Sequence, residues 1–189
     1  MKLLGTKKLE TERLILRKVT KADADAAYKN WCDSDAVTRY LPWERHKNVE
    51  ETKTLYEMWE KEYESKETFR WIVELKESHE VIGTIDVVNK EYLKFGALEV
   101  GYCYGDQFWG HGYGTEALKR VIKYLFEECD AEVVYAKHYS NNPASGKIMQ
   151  KSGMTLEGVL RNRVVDKEGV RNDICCYSIS RNEYNEGQK

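Results

Sequence analysis

Proline is nearly missing from this chain: only Pro42 and Pro143 occur among its 189 residues. No Pro-, Gly- or Ser-rich stretch reads as a linker, and neither repeats nor low-complexity tracts interrupt the sequence. One continuous domain over residues 1–189 is expected, since that length supports one well-buried core and is short for two. No apolar run approaches the roughly 18 residues that would cross a bilayer, and the opening "MKLLGTKKLETERL" has no signal-peptide apolar segment. A cytoplasmic protein is expected. An excess of one charge is lacking too: 30 Lys and Arg against 32 Asp and Glu leave a net −2. Such a balance gives no global field that would gather nucleic acid or an anionic membrane. The five cysteines, Cys32, Cys103, Cys129, Cys175 and Cys176, show no CxxC spacing and sit mostly in apolar segments, so reduced core thiols are expected. His46, His79, His111 and His138 are scattered, with no pair at metal-ligand spacing, and no metal is assigned.

What is present is a regular alternation of patterns. "RLILRKV" (13–19) reads as a first strand, followed by a helix capped by Thr20 and Asp23 and running to about Trp31. Asn48 caps a second helix with Leu55, Met58 and Trp59 on one side. "FRWIVEL" (69–75), "EVIGTIDVV" (80–88) and "ALEVGYCYG" (97–105) read as a three-strand antiparallel meander. From residue 112 the period changes, with Leu118, Val121, Ile122 and Leu125 forming the stripe of a helix that packs on a sheet. "EVVYAKHYS" (132–140) is a strand, and "NPASGKIMQKSG" a short helix with Asn142 as N-cap, Pro143 at its first position and Gly153 as its stop. "LEGVLRNRVV" and "NDICCYSIS" close the chain as two strands around "DKEG". The sum is a mixed α/β (α+β) sheet, antiparallel first and with a βαβ unit in its second half.

The stretch "FWGHGYGTEAL" places three glycines at alternate positions at the mouth of the residue-112 helix. A helix N-terminus exposes unpaired N–H groups and the positive end of the dipole, and glycines let a bulky anion reach the backbone. The turn should hold phosphate. A P-loop would need GxxxxGK followed by Ser or Thr, and a dinucleotide fingerprint GxGxxG; here Thr115 stands where the latter needs its third glycine.

These residues resemble the acyl-CoA pyrophosphate loop of the Gcn5-related N-acetyltransferases (GNAT). In that register Trp109 takes a position usually Gln or Arg, while Gly112 and Gly114 take the small ones. The resemblance is closest to the RimJ/RimL-type branch, the ribosomal-protein N-terminal acetyltransferases. It rests on five ordered blocks: "LETERLILRKVTKADADA", "VTRYLPWE", "LEVGYCYGDQFWGHGYGTEAL", "NNPASGKIMQKSGM" and "LEGVLRNRVVDKEGVRNDICCYSI". It implies a mostly antiparallel seven-stranded sheet flanked by about four helices, with acetyl-CoA as cosubstrate. Trp109, Gly110, His111, Gly112, Tyr113, Gly114 and Thr115 would face the diphosphate. Main-chain groups of Tyr102, Cys103 and Tyr104 would meet pantetheine and the reacting carbonyl.

Transfer of acetyl from a thioester to an amine needs a neutral amine, a stabilised oxyanion and an exit for sulfur. The resemblance implies Glu99 as the residue that orients water near the amine; pairing with a basic neighbour is the alternative open for a strand glutamate. Many relatives carry a tyrosine on the helix after the fifth strand as proton donor to sulfur, but here that position is Met149, which cannot donate. The branch's Asn-x-x-Ser is matched by Asn142 and Ser145, which implies that Asn142 contacts the coenzyme and Ser145 the sulfur. A pure N-cap and an exposed helix serine are the alternatives. Tyr102, Tyr104 and Tyr113 either line a channel or pack in the core. "YLPWERH" (40–46) is either a substrate-side lip or an anchor for the second helix. No base stands beside Cys103 to suggest an acyl-enzyme. The expected activity is direct transfer in a ternary complex to a primary amine, in particular a protein N-terminal α-amine, by a monomer or homodimer. Small amines or antibiotics as acceptors, and a noncatalytic acyl-CoA sensor, stay open.

Overall fold

The computed structural model describes residues 1–89 and 91–188. Its centre is one sheet with strands β1 Leu9–Glu10, β2 Leu14–Arg17, β3 Arg70–Leu75, β4 Val81–Asn89, β5 Ala97–Tyr104, β6 Val133–Tyr139, β7 Thr155–Val165 and β8 Arg171–Ser180. The spatial order is β1-β2-β3-β4-β5-β6-β8-β7, and among the described residues only β5 and β6 run parallel. The mixed, mostly antiparallel sheet expected from the sequence is therefore present, with the two-residue β1 as an eighth, edge strand. Alternation along β3 shows how the sheet is buried: Trp71 and Val73 enter one apolar cluster, and Ile72 between them enters the other. Such strands need helices on both faces.

On the first face lie α4 (Tyr113–Glu127) and α5 (Pro143–Lys151), and a short α6 (Arg181–Glu186) follows β8. The periodic stripe of α4 is fully used, with Leu118, Val121, Ile122 and Leu125 at most 2% exposed. The second face is covered by α1 (Ala24–Ala27), α2 (Asp35–Thr38) and α3 (Val49–Glu62). The Thr20–Asp23 cap exists, Asp23 Oδ2 accepting from the Thr20 amide at 2.8 Å, but the helix expected to reach Trp31 passes into a π-turn over Tyr28–Cys32. Asn48 caps α3 by accepting from the Glu51 amide at 3.1 Å. The α3 stripe is rotated from the expected one: Thr52 and Tyr56 are buried, whereas Met58 is 50% exposed. Gly153, at φ +90°, ends the α5 region as expected.

Candidate active site

The site begins where β5 and β6 stop pairing. Their parallel register runs from Ala97↔Val133 to Glu99↔Tyr135 and ends there. Beyond it β5 stays with β4 as far as Tyr104, while β6 follows β8 as far as Tyr139↔Ile174. A seam opens between them. Gly105 donates its amide to the Ile82 carbonyl of β4 at 3.0 Å. Antiparallel alternation then turns the main-chain groups of Cys103 to β4 and those of Tyr102 and Tyr104 to the seam. This corrects the expectation for Cys103, whose backbone is committed to the sheet. Its thiol lies 3.4 Å from the Thr84 hydroxyl, and burial pushes it up to about 11, so it is protonated at neutral pH.

The same alternation sorts side chains. Leu98, Val100 and Tyr104 join the cluster under α4, with Tyr102 packed against it, whereas Cys103 packs on the α1–α3 side. Glu99 and Gly101 share the face of Cys103. Glu99 accepts from Lys137 Nζ at 3.2 Å and from Asn89 Nδ2 at 3.5 Å. The basic neighbour left open by the sequence is thus Lys137, one strand away. Tyr102 takes the opposite face, where its hydroxyl lies 2.9 Å from Ser145 Oγ. The Tyr104 ring is core, and its buried hydroxyl has no partner among the described residues.

At the end of the seam the glycine turn enters α4. Gly110 and Gly112 both adopt φ +81°, a conformation that needs glycine, and a methyl group on Gly110 would meet nothing within 4 Å. The amides of Gly110, His111, Gly112, Tyr113, Gly114 and Thr115 have no protein acceptor among the described residues. Trp109 differs from expectation here: its amide donates to the Asp106 carbonyl at 3.1 Å, and its indole N–H to the Tyr104 carbonyl at 2.8 Å. The run of open amides therefore starts at Gly110. Gly114 is small for another reason, since a methyl group there would stand 2.8 Å from Ile148 Cδ1 and 3.2 Å from the Tyr104 ring. The His111 ring stacks on Tyr113 at 5.6 Å and 10°. Six open amides at a helix N-terminus fit the diphosphate end of a coenzyme A molecule.

Arg13 is the residue that sequence reasoning missed. Its guanidinium donates to the His111 carbonyl at 3.1 Å, pairs with Glu116 at 2.7 Å and lies 4.5 Å from the Tyr113 ring centre. Burial alone would raise the Glu116 carboxyl, but hydrogen bonds from Thr11, the Arg13 amide and the Arg13 guanidinium hold it below its usual value. Nothing local marks Arg13, which meets His111 across 98 positions of chain.

At the start of α5, Asn142 Oδ1 accepts from the Ser145 amide at 3.4 Å. Its Nδ2 has no partner among the described residues, so a cap and a free donor coexist on one side chain. Met149 is 1% exposed and belongs to the core. The 40–46 loop reaches the end of β6 and the β7–β8 turn. Tyr40 donates to the Asn141 carbonyl at 3.1 Å, and the Trp43 carbonyl accepts from Lys167 of the β7–β8 turn at 2.6 Å. Trp43 also packs on the α1–α3 cluster, which is the anchor alternative for this segment.

A family model described as an acetyltransferase (GNAT) domain matches residues 13–155. An uncharacterized N-acetyltransferase of Bacillus subtilis (strain 168), YoaA, is 32% identical over 171 residues, covering 90% of this chain and 95% of its own. Among solved structures, the ribosomal-protein-S5-alanine acetyltransferase from Vibrio fischeri has a TM-score of 0.80 at 21% identity, over 93% of this chain and 97% of that one. RimL, a ribosomal L7/L12 alpha-N-protein acetyltransferase in complex with coenzyme A, also has a TM-score of 0.80, at 18% identity over 92% of this chain and 98% of its own. The last two likenesses are of fold.

Proposed function

This chain belongs to the GNAT acetyltransferase family and is an acetyl-CoA-dependent N-acetyltransferase, and from that premise we propose that its acceptor is the α-amine of a protein N-terminus, acetylated directly in a ternary complex. The observation that carries direct transfer is the open β5–β6 seam, which has Ser145 and Tyr102 on one face of β5 and Glu99 on the other. The coenzyme supplies an acetyl group activated as a thioester. The amides of Gly110–Thr115 and the Asn142 Nδ2 hold its polar end, and the Tyr102 and Tyr104 main chain lines the seam. Ser145 hydrogen-bonds the sulfur. Glu99, steadied by Lys137 and Asn89, orients the water that takes the amine proton. The protonated Cys103 thiol argues against a covalent acyl-enzyme.

Support for a protein α-amine comes from the Asn-x-x-Ser block and from the fold shared with two acetyltransferases named for ribosomal proteins. Thiol release from acetyl-CoA with a mixed library of N-terminal peptides and small amines tests it. Peptides with free α-amines should turn over fastest, and a preference for small amines or antibiotics would overturn the assignment. Glu99→Gln should lower kcat/KM for the acceptor on the order of 100-fold while leaving coenzyme A affinity unchanged.

A further inference from the structure

The Tyr102 side chain has no part in the scheme so far. It leaves β5 on the α4–α5 face, and its hydroxyl lies 2.9 Å from Ser145 Oγ and 3.1 Å from the Ser145 carbonyl oxygen. A phenol has one hydrogen to give, and a serine hydroxyl has one hydrogen and two acceptor sites. The Ser145 carbonyl can only accept and competes for the phenol hydrogen at 3.1 Å, but the Oγ contact at 2.9 Å is the shorter; with Tyr102 donating to Oγ, the serine hydrogen must point elsewhere. Among the described residues Ser145 Oγ has no other partner, so that hydrogen is left for whatever enters the seam. We infer that Tyr102 is a positioning residue: by donating to Ser145 Oγ it turns the serine hydrogen toward the sulfur of the incoming thioester.

This rests on the acetyl-transfer reading of the site. In the transfer the C–S bond breaks with its electron pair left on sulfur. The acceptor nitrogen forms the new C–N bond and releases a proton to water. Ser145 gives a hydrogen bond to the sulfur, and neither hydroxyl loses its proton. Burial raises the Tyr102 phenol well above its ordinary value, which keeps it a donor across the working pH range. The arrangement stands in for the missing tyrosine at Met149 by dividing the task between a strand and a helix.

The test uses the full chain with Tyr102→Phe, Ser145→Ala, the double variant, and Ser145→Thr, which keeps a hydroxyl. The first readout is the ultraviolet absorbance of the thiolate of bound coenzyme A titrated against pH, and it needs no acceptor. A donated hydrogen bond favours the charged form. Y102F and S145A should therefore each weaken ionisation of the bound thiol about 3- to 10-fold, a rise of roughly half to one pKa unit. The double variant should match S145A, and S145T should approach wild type. In turnover, Y102F should lower kcat by a similar factor with KM for acetyl-CoA within about twofold. An unchanged thiol titration in Y102F, or effects of Y102F and S145A that multiply, would overturn the inference. If coenzyme A binds but no amine is acetylated, the transfer reading fails while the titration still decides Tyr102's role. If coenzyme A does not bind, both fall.

Discussion

The three glycines of residues 110–114 differ in what a methyl group would meet. At Gly110 it would meet open space but strain a φ of +81°; at Gly114 it would collide with Ile148 on the neighbouring helix. Gly110→Ala should weaken coenzyme A binding at least about tenfold by calorimetry, because a Cβ would intrude on the place proposed for the diphosphate and the left-handed conformation costs about 1–2 kcal/mol. Gly114→Ala should instead lower the melting temperature by several degrees, since overpacking costs about 1–3 kcal/mol, with a smaller effect on coenzyme affinity. The glycine spacing was legible in the sequence because it is local. Which glycine serves the ligand and which the α4–α5 contact was not, because the Gly114–Ile148 approach depends on how two helices pack. Tyr102 and Ser145 were each visible as candidates, but their pairing spans 43 positions and follows from strand parity.

At the scale of elements, α4 shows how a helix is made ready for an anion. Its N-terminal amides are left open, and the acidic residue in its first turn, Glu116, which would compete for them, is held aside by Thr11 and Arg13. Arg13→Ala should raise KM for acetyl-CoA several-fold with little change in kcat, because it loosens the turn without touching the reacting atoms. The carboxylate also carries a pH signature. Its folded value lies below the ordinary 4.5, so its contribution is complete above that pH and is lost as pH falls through the lowered value. Glu116→Gln should thus melt about 2–4 °C below wild type at neutral pH, and scans taken toward pH 3 should show the gap closing. Caps and stops were the most legible part of these elements: Asn48, Asn142 and Gly153 all act where their residue types predict. The π-turn at Tyr28–Cys32 was not legible, nor was the outward Met58, because the sheet rather than helical periodicity decides which face of these helices is buried.

Across the whole molecule, the 40–46 loop, the start of α5 and the β7–β8 turn are tied together by Tyr40 and Lys167. Lys167→Ala should raise KM for the acceptor several-fold and leave that for acetyl-CoA unchanged, as steady-state kinetics with each substrate varied in turn would show. The antiparallel first half and the presence of a parallel crossover followed from the alternation of patterns along the chain, whereas the β6-β8-β7 order did not. The point where β5 and β6 part did not, since "LEVGYCYG" and "EVVYAKHYS" read as ordinary strands and only register shows that three residues of each are paired. That parting makes β5 a two-sided wall. With Glu99 on one side and Tyr102 on the other, an odd number of inserted or deleted residues between them would put both on the same side and leave one reactant facing a bare wall. The number of residues between those two positions is thus held as firmly as the two side chains themselves.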